Sequence, residues 1–141
     1  MAQKKSLRIL LIDDDKDDQF FFVRTIEDIQ SSIVCELADN GLKGLSALLK
    51  NPNPDIIFLD LNMPQMNGFD FLEIIKKDEN FKHIPVIIFT TSSHLQDIEK
   101  AKELKAVAFL TKPNNLNNLS QLLTKALHLD FSMYTEINII H

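Results

Sequence analysis

Glycine and cysteine are scarce in this sequence, tryptophan is absent, and no apolar run approaches the length of a membrane span. Gly41, Gly44 and Gly68 are the only glycines, and neither a glycine-rich phosphate loop ending in Lys-Ser/Thr nor a GxGxxG fingerprint occurs, which excludes the common nucleotide-binding motifs. The single cysteine, Cys35 in the apolar run IVCEL, can form no internal disulfide and reads as a buried reduced thiol, so a cytoplasmic setting is the expectation. The basic start MAQKK leads into only a short apolar stretch, ended by Asp13, Asp14 and Asp15, so neither a signal peptide nor a membrane anchor is expected. Positive charge is also in deficit. With 15 Lys and Arg against 20 Asp and Glu, the chain has no clustered basic face of the kind that holds a phosphate backbone, and direct nucleic-acid binding is not expected. His83, His94, His128 and His141 lack the close spacing of a metal site.

What is present is the composition of an ordinary soluble domain: 141 residues, 45% hydrophobic and 25% charged, enough for one core without disulfides. Short apolar runs at Leu7 to Ile12, Ile33 to Leu37, Ile56 to Leu59, Val86 to Phe89 and Val107 to Leu110 predict five buried strands. Between and after them, helical spacing runs over Phe20 to Ile29, Leu42 to Leu49, Phe69 to Ile75, Leu95 to Leu104 and Leu116 to Leu127. The alternation predicts right-handed βαβ units and a doubly wound α/β fold, a parallel sheet covered on both faces, with function at the strands' carboxyl ends. The stretch with Asn114, Asn115, Asn117 and Asn118 reads as a polar loop before the last helix. The tail after Leu129, DFSMYTEINIIH, is too short for an output domain; packing back, pairing as an edge strand and staying loose are all open to it.

The strand ends carry the chemistry. The first ends in Asp13-Asp14-Asp15 and the third in Asp60, so the fold brings several carboxylates to one sheet edge. Two like charges about 4 Å apart repel by roughly 4 kcal/mol at an effective dielectric of 20, so the cluster calls for a proton or a cation. All-oxygen ligands suit a hard ion such as Mg²⁺, and Mg²⁺ with carboxylates implies phosphoryl transfer. Asp15, Asp17 and Asp18 read better as caps and first-turn acids of the following helix. Asp14 and Asp60 read as site residues because the fourth strand ends in Thr90-Thr91-Ser92-Ser93 and the fifth in Lys112-Pro113, which adds a hydroxyl and an ammonium at the same edge.

From about Leu7 to Leu127 the chain resembles the receiver domains of bacterial response regulators. ILLIDDD resembles the first-strand acidic motif, FLDLNMPQMNGFDFL the phosphorylation motif, IPVIIFTTSS the switch-hydroxyl strand and AFLTKP the lysine strand. The resemblance implies a five-stranded parallel sheet with five helices in the order 2-1-3-4-5, a receiver domain over 1–129, and a short C-terminal extension over 130–141 without an output domain. It implies that Asp60 is the phosphorylated aspartate, that Asp13 and Asp14 are the acidic pair, that Thr90 is the switch hydroxyl and that Lys112 is the conserved-type lysine. Asp13, Asp14, Asp60 and the Asn62 carbonyl would hold Mg²⁺, with Asn62 and Ser92 tuning attack of water on the acyl phosphate. Phe109 falls at the switch-aromatic position, where a plain core role is equally open, and the Lys112-Pro113 bond is expected cis. The implied protein is not an enzyme but a stand-alone regulator of a two-component phosphorelay, of the single-domain type that serves phytochrome-type and other histidine kinases. Its partners would be a histidine kinase or histidine phosphotransferase and an unidentified target protein. Two departures stand out: Lys105 replaces a common glycine, and Asn114-Asn115 replace an apolar residue on the face that family members use to dimerise, where a homodimer remains open. A phosphatase with an aspartyl nucleophile would need a second aspartate where Asn62 stands, and a pseudo-receiver would be expected to lack one of the site residues.

Overall fold

The computed structural model describes residues 6–50, 53–129 and 138–140. Six strands, β1 (Arg8–Ile12), β2 (Val34–Ala38), β3 (Ile56–Leu59), β4 (Val86–Thr90), β5 (Ala108–Thr111) and β6 (Asn138–Ile140), form one sheet in the order β2-β1-β3-β4-β5-β6. All neighbours are parallel. The expected five strands thus lie in the order 2-1-3-4-5, and the end of the C-terminal tail adds a sixth along the outer edge of β5. Most of that tail lies outside the described residues.

Five helices, α1 (Lys16–Ile29), α2 (Gly41–Lys50), α3 (Gly68–Lys76), α4 (Leu95–Glu103) and α5 (Leu116–Leu127), connect the strands. Successive side chains of a strand point to opposite faces, so each run feeds two cores. Leu10, Ile12, Ile57, Leu59 and Ile88 pack with Phe71, Leu72 and Ile75 of α3 on one face. Ile9, Leu11, Phe58, Ile87 and Phe89 pack with Phe22 and Ile26 of α1 and Leu119, Leu122 and Leu123 of α5 on the other. There the Phe22 and Phe58 rings meet edge to face at 5.0 Å, and Phe58 meets Phe89 at 6.2 Å and 90°. β2 departs from the fully buried reading: it is an edge strand, with Val34 and Leu37 about two-fifths exposed. Cys35 accordingly is half-buried rather than buried; burial still pushes its thiol up to about 11, so it stays protonated and unreactive at neutral pH.

The helix starts follow local chemistry that apolar spacing does not register. Asp15 accepts a hydrogen bond from the Asp18 backbone N–H at 3.0 Å and Asp17 and Asp18 occupy the first turn, so α1 begins four residues before its first expected apolar position, Phe20. Asn67 caps α3 through the Asp70 N–H, and Asn115, from the asparagine-rich stretch, caps α5 through the Asn118 N–H. α4 ends in a Schellman turn: the Ala106 N–H reaches Ala101 O and the Lys105 N–H reaches Lys102 O, each at 3.0 Å. Lys105 sits in the left-handed region at φ 67°, the conformation that glycine adopts without strain. The Lys112-Pro113 expectation is corrected: no cis peptide bond occurs among the described residues, so this bond is trans, the lower-energy X–Pro isomer by about 0.5–1 kcal/mol.

Candidate functional site

β1, β3, β4 and β5 all run the same way, so their carboxyl ends share one edge of the sheet. Asp13 follows β1 directly, and its N–H bonds Ala38 O at the end of β2. Asp60 follows β3, with its N–H held by Ile12 O at 2.9 Å. These two ladder bonds set the two carboxylates side by side, and Asp13, Asp14 and Asp60 each offer an oxygen within 4.8 Å of the others. Asp13 and Asp60 are buried; Asp14 is exposed.

Gly68, the first residue of α3, fixes the Asp60 backbone from behind. Its N–H bonds Leu61 O at 3.0 Å, and a Cβ at this position would lie 2.3 Å from Asp60 O, so only glycine lets α3 approach this closely. Asn62 is exposed, and its N–H points at Asp60 Oδ1 over a long 3.4 Å.

The fifth strand supplies the cation. Thr90 pairs with Thr111, and the Lys112 N–H bonds Thr90 O at 2.7 Å, so the β4 and β5 ends are tied together just where the ammonium emerges. Lys112 Nζ lies 2.7 Å from Asp13 Oδ2 and 3.5 Å from Asp60 Oδ2. The Thr90 side chain is fully buried at the end of β4, with the Ser92 N–H 3.5 Å from its hydroxyl oxygen. Asp13, Asp14, Asp60 and Lys112 therefore converge, with Thr90 and Asn62 attached through the strand ends. Phe109 is 1% exposed and packs in the core on the α3 side, so here it is an interior phenylalanine.

The electrostatics follow from crowding and burial. Burial pushes Asp13 up to about 6 against the opposing hydrogen bond from Lys112, and the Asp60 charge adds to the rise. Burial also works against the Lys112 charge, yet the hydrogen bonds to Asp13 and Asp18 hold its pKa above the ordinary lysine value. A cluster of carboxylates within 4.8 Å of one another, open to solvent through Asp14 and built of oxygen donors alone, fits a hard divalent cation.

Sequence reasoning missed three residues. Asp18, read as a first-turn acid, places Oδ2 2.7 Å from Lys112 Nζ. Gln19, 4% exposed, donates from Nε2 to Asp13 O at 2.6 Å and to Asp39 Oδ1 at 2.9 Å. Asp39 receives Lys16 at 2.6 Å as well, and that bond first, then Gln19 and Lys43, holds its carboxyl below the usual carboxylate range. The signal lay in α1: Asp18 and Gln19 stand four and three residues before the buried Phe22, so two polar side chains precede it on the core-facing stripe.

The sequence profile of the response regulator receiver domain matches residues 9–124, and the chain belongs to that family. It is 34% identical over 124 residues to the response regulator Rcp1 of Synechocystis sp., covering 81% of this chain and 82% of that protein. Among solved structures, the phosphorylated cyanobacterial phytochrome response regulator RcpA superposes with a TM-score of 0.83 at 27% identity, over 93% of this chain and 98% of the other. The Mn²⁺-bound form of Rcp1 gives 0.79 at 28% identity, over 92% and 98%. A protein-glutamate methylesterase/protein-glutamine glutaminase of Anaeromyxobacter dehalogenans is 32% identical over 112 residues, but the chain spans only 31% of its length. No described helix is long and apolar enough to cross a membrane.

Proposed function

We propose that this receiver domain accepts a phosphoryl group on Asp60 with the help of Mg²⁺ and signals through phosphorylation-dependent protein contact. The observation that carries the reading is the convergence of Asp13, Asp14 and Asp60 within 4.8 Å, with the Lys112 ammonium 3.5 Å from Asp60. Asp13, Asp14, Asp60 and the Asn62 carbonyl would hold the metal, which when bound supplies the positive charge that lets a phosphate approach a carboxylate. Rcp1 in its Mn²⁺-bound form and RcpA in its phosphorylated form are relatives in which a divalent metal and a phosphoryl group are seen.

In the reaction an Asp60 carboxylate oxygen attacks phosphorus, the bond from phosphorus to the donor's nitrogen or oxygen breaks, and the donor leaves with the electron pair. Lys112 and Thr90 bind the phosphoryl oxygens, and burial of Asp60 and Thr90 keeps water from competing with these contacts. The donor is a histidine kinase or histidine phosphotransferase, with phytochrome-type kinases the first to try, and the working compartment is the cytoplasm. Incubation of the full chain with acetyl phosphate, with and without Mg²⁺, tests this by intact mass. One phosphate gained only with Mg²⁺, and none by Asp60→Asn, is expected. A wild type that gains none, or an Asp60→Asn chain that still gains one, overturns the assignment; the first result would leave a receiver acting as an interaction module.

A further inference from the structure

Lys112 is shared among three carboxylates, and only two of them are accounted for by the site described above. Its ammonium has three N–H donors. Two are spent at 2.7 Å on Asp13 Oδ2 and Asp18 Oδ2, while Asp60 Oδ2 lies at 3.5 Å, beyond a good hydrogen bond. Asp18 comes from the first turn of α1, 94 residues away in sequence, and its own backbone N–H is already engaged by the Asp15 cap. The pair lies beside a groove of about 280 Å³ between α1 and the β5–α5 connection, lined by Phe21, Phe89, Pro113 and Leu119, with the Phe89 ring centroid 5.6 Å from the ammonium.

We infer that Asp18 is a positioning residue that holds Lys112 back from Asp60 in the resting protein and competes with the phosphoryl group for its ammonium. This rests on the phosphoacceptor reading of Asp60. For Lys112 to bond a phosphoryl oxygen on Asp60, one of its two short contacts must lengthen. The Asp13 side chain is wholly buried and has no water to turn to, whereas Asp18 is 37% exposed and can be rehydrated, so Asp18 is the contact that yields. A group that binds Lys112 better in the resting arrangement than in the phosphorylated one must oppose phosphorylation by that difference.

The test uses the full chain and compares Asp18→Asn with Asp17→Asn, which removes the same charge from the same exposed helix turn. Two measurements are made: the rate of phosphorylation by acetyl phosphate with Mg²⁺, read by intact mass, and the ¹³Cε–¹Hε signal of Lys112 in the unphosphorylated protein, assigned with Lys112→Arg. Asp18→Asn is expected to shift the Lys112 signal and to speed phosphorylation roughly two- to fivefold, the scale of one partly exposed ion pair. Asp17→Asn is expected to do neither. An unshifted Lys112 signal in Asp18→Asn refutes the pairing, and a shifted signal with an unchanged or slower rate refutes the competition. Equal acceleration by Asp17→Asn reduces Asp18 to one more surface charge. A wild-type chain that takes no phosphate refutes the phosphoacceptor reading and this role with it, whereas a wild type phosphorylated on Asp60 with an inert Asp18→Asn refutes the role alone.

Discussion

Gly68→Ala sets two physical effects against each other at the back of the acceptor site, and the sign of the result tells which wins. On helix propensity alone the substitution stabilises α3 by up to about 1 kcal/mol, since glycine is the poorer helix former. Sterically it does the reverse, because the new Cβ would lie 2.3 Å from Asp60 O and 2.9 Å from Leu61 Cα, about 1 Å inside ordinary contact with the first. Both obstacles are backbone. Asp60 is held in the sheet by Ile12 O, and Gly68 is itself tied to Leu61 O at 3.0 Å, so neither partner gives way freely. Overpacking costs about 1–3 kcal/mol, and with backbone on both sides the upper end applies, so after a propensity gain of about 1 kcal/mol the net loss is about 2 kcal/mol. For a domain of this size that lowers Tm by roughly 6–8 °C, measurable by circular dichroism. The atoms displaced belong to the acceptor residue, and an ångström of misplacement costs up to about 10²-fold in rate, so phosphorylation by acetyl phosphate should fall at least tenfold. Gly44→Ala is the control: its Cβ would meet Ile12 Cδ1 at 2.6 Å, the movable end of a side chain. That variant should lose less stability and keep its phosphorylation rate. A Gly68→Ala protein as stable and as readily phosphorylated as wild type would refute the claim that this contact positions Asp60.

Two further outcomes follow from the geometry. Lys105→Gly should stabilise the fold by about 1 kcal/mol, because φ 67° strains a residue with a Cβ and the Schellman hydrogen bonds do not need the lysine side chain; an unchanged or lower urea midpoint would count against strain at this turn. The metal-free protein should lose stability through Asp13 as pH rises from about 4 to above 6, since its carboxyl lies at about 6 when folded against 3.8 for an ordinary aspartate. The proton is held more tightly in the folded state, so that contribution is complete below 3.8 and gone once pH passes the folded value. Urea unfolding in EDTA, compared with Asp13→Asn, should show the two stability curves converging or diverging by up to about 3 kcal/mol across that window, and parallel curves would refute the buried-carboxyl explanation.

Much of the architecture was legible because the relevant signals are local. The runs ILLI, IIFL and VIIFT bury residues on both sides, which is what a central parallel strand requires, and their alternation with amphipathic helices leaves few topologies. Once the strands run parallel, residues that follow them must meet at one edge, so Asp14, Asp60, a hydroxyl after the fourth strand and Lys112 could be placed together from position, while the choice of Asp13 and Thr90 came with the family resemblance. Helix starts were read late where polar caps precede the first apolar residue, as at Asp15.

Other features depend on which surfaces finally touch. Asp13 and Asp14 are adjacent in sequence, yet one is buried, with a pKa raised by that burial against the Lys112 contact, and the other is exposed. Phe109 is a core residue because β5 turns it towards α3, and β2 is half-exposed because it ends the sheet. Asp18 meets Lys112 only when α1 packs beside α5 over the β5 end, a pairing of residues 94 apart that no periodicity encodes. Sequence by itself determined the order of elements and the chemistry delivered to their ends, because propensity, alternation and capping act within a few residues. Tertiary structure decided which carboxylate holds which ammonium and which is cut off from water, because hydrogen bonds and desolvation are set by distances across the folded chain.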